Sequence, residues 1–127
     1  MSRKAIEKRL DALWSAVVKA NAEFRCQMCG TYDGVIDPHH VVKRTHKRLR
    51  WNTENGIGLC RFRCHRLAED KPEAFEEWMQ ERYSYTWENL NRIKAKGPKI
   101  YSLQELEDIE ESLKKQLKDS GKEDLPF

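Results

Sequence analysis

The chain has 127 residues, 39% of them hydrophobic and 35% charged, with a formal net charge of +3 and four cysteines. That length fits one domain whose thin apolar core needs help from a metal, disulfides or a partner chain. No run of about 18 apolar residues occurs, which argues against a transmembrane helix and a membrane partner, and Met1–Glu7 has none of the apolar stretch of a secretory signal. A cytoplasmic protein is therefore expected, and in a reducing compartment paired cysteines favour metal over disulfides. The charge is uneven: +1 over residues 1–38, +7 over 39–66 and −5 over 67–127. The positive block coincides with the histidines and half of the cysteines, which points to a polyanion held there.

Residues 4–23 are expected to form an amphipathic helix, because Ile6, Leu10, Leu13, Trp14, Val17 and Val18 recur at helical spacing between charged residues. Cys26 and Cys29, followed by Gly30, have the spacing of a zinc knuckle. Asp33-Gly34 marks a turn. Val35–Val42 then has strand character, Lys43–Trp51 reads as a basic loop with one aromatic, and Ile57–Cys60 reads as a short return strand. A helix is expected from about Cys64 or His65. Asp70–Glu73 resembles a helix start with proline in the first turn, and that helix runs to about Tyr83. A second helix opens at Thr86–Asn89 and ends at Gly97-Pro98. Ser102–Glu105 forms a capping box for the last one. The last helix carries the stripe Leu103, Leu106, Ile109, Leu113 and Leu117. Such a stripe packs on its own domain in the ordinary case; a self-association seam is the alternative.

These elements make an α+β chain: an N-terminal helix over 1–25, a metal-stapled core over 26–70, a helical extension over 71–119, and a disordered tail over 120–127. Cys26, Cys29, Cys60 and Cys64 supply four thiolates, the preferred donor set of a closed structural Zn2+ site. The second pair is separated by three residues where two is usual. Two disulfides, or four separate core thiols, are the alternatives. His39 and His40 alternate across a strand, so they do different jobs or one of them turns at the strand end. His65 at a helix start adds a third imidazole. Phosphodiester cleavage needs a base near neutrality and a cation on the phosphate. Two imidazoles on one ion and one free imidazole meet both needs. His46 reads as an exposed loop histidine, with a phosphate contact or spare ligand as the sharper alternative.

The set Cys-x2-Cys, His39-His40, Asn55, Cys60 and Cys64-His65 resembles the HNH nucleases, also called ββα-metal or His-Me finger nucleases. Residues 70–118 resemble the tail of NinG/Rap-type phage recombination nucleases. The resemblance implies a metal-dependent endonuclease with a small ββα-metal core, encoded by a phage or prophage and acting in the host cytoplasm. It implies His40 as general base, His39 and His65 as ligands of a catalytic divalent ion (Mg2+ or Mn2+), and Asn55 as the residue that orients the base and pins the loop. DNA is the expected partner, duplex or branched, cut with low sequence specificity to leave 5′-phosphate and 3′-hydroxyl ends. Lys43, Arg44, Lys47, Arg48, Arg50, Arg61, Arg63 and Arg66 are the expected phosphate contacts. A homodimer and a recombination or packaging partner fit the same reading. A non-catalytic zinc-finger DNA-binding module and a packaging-associated nicking protein are the alternatives.

Overall fold

The computed structural model describes residues 2–120. The chain runs through α1 (Arg3–Asn21), β1 (Ile36–His40), α2 (Lys47–Arg50), β2 (Gly56–Cys60), α3 (Arg66–Asp70), α4 (Pro72–Arg82), α5 (Ser84–Lys94) and α6 (Leu103–Asp119). It is a mostly helical α+β molecule with one two-stranded antiparallel sheet. Among the described residues no helix is long and apolar enough to cross a membrane. Of the tail expected from residue 120 onward, 121–127 lie outside the described residues.

α1 is capped by Ser2, whose side chain accepts from the Ala5 N–H. It stops two residues earlier than its apolar pattern suggests. Glu23 and Phe24 both take left-handed backbone angles, with φ of 57° and 58°, at a cost of about 1–2 kcal/mol per residue. This sharp reversal leads directly into the Cys26–Cys29 knuckle. One face of α1 lies on the sheet, and glycines permit it. A Cβ on Gly56 would run into Val18 and Trp14, and one on Gly58 would meet the Ala22 Cβ at 2.8 Å.

The hairpin register pairs Asp37 with Leu59, His39 with Ile57 and His40 with Gly56. The first strand is shorter than the expected 35–42. Past His40, the Val41 N–H donates to the Asn55 carbonyl and the Val42 N–H to the Asn55 side chain. The chain then departs into a loop whose basic segment contains the single turn α2. The helix expected from Cys64 or His65 is preceded by a wide π-type turn over Arg61–His65, and α3 begins at Arg66. α5 starts at Ser84, directly after α4, with Tyr83 as the joint. Ser102 and Glu105 form the expected capping box at the start of α6.

Two apolar clusters result. One joins α1 to α6 through Ile6, Leu10, Val17, Leu106 and Leu113, with Trp14 and Trp51. The leucine stripe of α6 is thus covered within the chain, through Leu106 and Leu113, while Leu103 stays exposed. The other cluster surrounds the cysteines with Ile36, Ile57, Leu59, Ala68, Phe75 and Met79.

Candidate metal centre and histidine cleft

The four cysteines converge. Their sulfurs all lie within 4.8 Å of one another, and among the described residues they are the one group of three or more ligand-type side chains so gathered. A tetrahedral ion at about 2.3 Å from each sulfur sets sulfurs about 3.8 Å apart; Cys29 and Cys60 are 3.8 Å apart. Each knuckle closes on its own sulfur: the Cys29 N–H donates to Cys26 Sγ at 3.4 Å, and the Cys64 N–H to Cys60 Sγ at 3.4 Å. The extra residue between Cys60 and Cys64 is accommodated by widening the turn. The set fits one Zn2+.

Cys29 alone is exposed, and the Arg63 Nη2 donates to its sulfur at 2.9 Å. Burial works against ionisation of this thiol. Bonds from the Thr31 backbone, Arg63 and neighbouring cysteines outweigh burial and lower its pKa to about 6. Burial, then the neighbouring sulfurs, push the Cys64 thiol up. A metal would replace the protons this set shares.

The histidines divide as their alternation requires. His39 turns toward the helical side, its ring edge-on to His65 (centroids 5.1 Å apart) and to Phe75 (5.0 Å). Burial first, then the charges of His65 and His40, lower its pKa to about 4, so it is neutral at physiological pH. His40 turns toward α1 and stacks flat on Trp14, at 3.8 Å and 7°. Its Nε2 lies 2.9 Å from the Arg50 carbonyl. A carbonyl only accepts, so Nε2 carries the proton and Nδ1 keeps the free lone pair. Burial lowers the pKa of His40, with Arg44 and Arg50 adding to that effect and the Arg50 carbonyl and Asp11 opposing it. His39, His40 and His65 line one open cleft of about 540 Å³, with Lys43, Arg44 and Glu69 also on its walls.

Asn55 is fully buried and closes the loop. Its Oδ1 accepts from the Val42 N–H at 2.7 Å, and its Nδ2 donates to the carbonyls of Val42 (2.9 Å) and Leu49 (3.1 Å). Leu49 precedes Arg50, so Asn55 anchors the backbone one residue before the carbonyl that holds His40. Neither a protein-family model, nor a curated protein, nor a solved structure matches the chain. The chemistry of the site therefore has to be read from its geometry.

Two residues without an assigned role in the sequence reading emerge here. Asp37 accepts from Arg61 through both carboxylate oxygens, from Nε at 3.1 Å and Nη2 at 2.9 Å, and lies 3.0 Å from His65 Nδ1. Burial raises its pKa, but the bonds from Arg61 and His65 outweigh burial and hold the carboxyl below its ordinary range. His65 Nε2 points to Glu69, 3.1 Å away on an exposed side chain. The signal for Asp37 is its place two residues before His39, on the same face of the strand. Trp14 is the other. It reads as a core residue in sequence, and only the packing reveals that it carries the His40 ring.

The basic residues are unequally placed. Lys43 and Arg44 rim the cleft, and Arg66 is exposed. Lys47 pairs with Glu7, Arg44 also reaches Asp11, and Arg48 donates to the Gly97 carbonyl. Arg50 departs furthest from its expected phosphate role. Its side chain is 13% exposed and held by Glu7 and Asp11 on α1, so it braces the loop instead. Arg61 and Arg63 are engaged by Asp37 and Cys29. His46 is half-buried, unlike an exposed loop histidine, and its Nδ1 has no partner.

Proposed function

We propose that the chain is a metal-dependent DNA endonuclease of the HNH, or ββα-metal, type, stapled by a structural Zn2+ on Cys26, Cys29, Cys60 and Cys64. The observation that carries this reading is His40: a neutral imidazole clamped flat on Trp14, with Nε2 tied to Arg50 and Nδ1 free, in a cleft with two further imidazoles. That is the state a general base needs in order to take a proton from water. His39 and His65 would hold a divalent ion, Mg2+ or Mn2+. The Asp37–His65 contact supports this, because a carboxylate on one ring nitrogen fixes the tautomer and leaves the other nitrogen to ligate. Glu69, on an exposed side chain, can swing away from that nitrogen. When bound, such an ion neutralises charge on the phosphate and on the departing oxygen. Lys43 and Arg44 on the rim suit phosphate oxygens, contacts that position DNA without reading its sequence. Duplex or branched DNA, cut with little sequence preference, is the substrate this favours, in keeping with a phage-type recombination enzyme.

A non-catalytic zinc-knuckle DNA-binding module is the second reading, and the four gathered thiols alone would serve it. It leaves the three-imidazole cleft without a use. The test is plasmid nicking with Mg2+ or Mn2+, comparing wild type with His40→Ala. Loss of a general base is expected to slow cutting by about 10²–10⁴-fold. Wild-type cutting by a folded, zinc-loaded His40→Ala protein would overturn the base assignment. No cutting by the wild type with either ion would favour the binding module.

A further inference from the structure

The Cys60–Cys64 turn carries one residue more than the Cys26–Cys29 knuckle, and it presents Phe62 to solvent. The residues on either side of Phe62 are braced: Arg61 by Asp37, and Arg63 by Cys29 Sγ. The turn is also tied at its ends, the Arg61 N–H donating to the Val35 carbonyl and the Cys64 N–H to Cys60 Sγ. Phe62 nevertheless stands 76% exposed and belongs to neither apolar cluster. An exposed phenylalanine alone is ordinary. One set between two braced arginines, over a shallow cleft of about 310 Å³ that also takes in Val35 and Asp33, is a built surface.

We infer that Phe62 is a stacking platform for an unpaired nucleobase, so that the protein engages DNA where base pairing is interrupted. The inference rests on the nuclease reading and extends it to the class of substrate. Stacking needs one exposed ring face and is tolerant of base identity, and cationic neighbours add to it. Arg61 and Arg63 flank Phe62 in the chain, and a guanidinium is cationic at any working pH. A protein partner fits less well. Beside Phe62 the cleft offers little more apolar surface than Val35, far short of the roughly 800 Å² per partner of a stable interface. One carboxylate, that of Asp37, holds both Arg61 beside Phe62 and His65 of the histidine cleft. A fully paired duplex offers no unpaired base, whereas a bulge, fork or junction does.

The test compares wild type, Phe62→Ala and Phe62→Trp by fluorescence titration without added Mg2+ or Mn2+. The probes are a short duplex and the same duplex with one unpaired 2-aminopurine. Wild type and Phe62→Trp should change the emission of the unpaired base. Phe62→Ala should bind the bulged DNA about ten- to hundredfold more weakly, the range that stacking energies imply, with duplex binding and one zinc per chain retained. Equal binding of bulged DNA by wild type and Phe62→Ala, equal weakening on both DNAs, or no binding to either would overturn the inference. Cleavage by the wild type, scored separately, keeps the two readings apart. If it cuts DNA while Phe62→Ala discriminates nothing, only the platform falls. If it cuts nothing while Phe62→Ala selectively loses bulged DNA, the platform stands and the nuclease reading falls.

Discussion

Replacing Asn55 with alanine removes a buried amide that makes three bonds at once, to Val42 N–H, Val42 C=O and Leu49 C=O. The Leu49 carbonyl keeps a second donor, the Asn52 N–H at 3.1 Å, so it is not left unpaired. Each of the three lost bonds then removes a net contribution of about 1 kcal/mol. The sum is about 3 kcal/mol, a large share of the roughly 5–15 kcal/mol that holds a small domain. Urea titration of zinc-saturated protein should therefore give a much lower midpoint at similar slope. Hydrogen exchange at the Val42 amide should accelerate more than exchange in α6. The His40 ring should also lose its fixed Nε2–H tautomer, visible as averaging of its two nitrogen shifts, because the Arg50 carbonyl follows Leu49. Asn55→Asp should be at least as damaging: it keeps the acceptor for Val42 but turns an acceptor toward two carbonyls. A loss below about 1 kcal/mol for Asn55→Ala, or an unchanged Val42 amide, would refute the argument that this side chain closes the loop.

Metal analysis should give one zinc per chain, and removing it with a chelator should abolish the cooperative unfolding transition, since the cysteines form part of one of the two cores. Gly56→Ala should lower stability by about 1–3 kcal/mol, read by thermal melting, because its Cβ would meet Trp14 and Val18. The same change should depress nicking, as Trp14 carries the His40 ring. Glu110 is held by Arg9 through two bonds of 2.8 and 3.0 Å, and the Arg9 bond lowers its carboxyl below the ordinary value of 4.5. A depressed folded-state pKa stabilises above the unfolded value, and this contribution is lost as pH falls through the folded one. Melting profiles of wild type and Glu110→Gln should thus differ at pH 6 and converge as pH falls below 4.5 and through the lower folded-state value.

The residues with strong local signatures were the legible ones. Paired cysteines announce the four-thiol cluster, the Ser102–Glu105 spacing announces a cap, and apolar spacing announces α1 and α6. What stayed hidden depends on partners far apart in the chain. Nothing local marks Gly56 and Gly58 as the gaps into which α1 settles. Arg50 looks like a phosphate contact until Glu7 and Asp11 arrive from α1. Asp37 has only its place two residues before His39 as a signature, because its role exists where Arg61 and His65 meet it. Glu23 and Phe24 give no hint that two side-chain-bearing residues would take the left-handed conformation that ends α1.

Cys64 and His65 are consecutive residues of one wide turn, and this adjacency works as a logical AND. One peptide unit separates a thiol of the zinc set from an imidazole of the cleft, so the backbone angles that bring the sulfur to its three companions also aim the ring at Asp37. A bound ion would add to the bonds from the Arg61 and Cys64 N–H groups that already tie this turn. Under the proposed function, cutting DNA would then depend on two linked conditions, a filled staple and a filled cleft. A half-assembled copy would be silent toward the DNA around it, a useful default for a protein whose proposed chemistry breaks DNA.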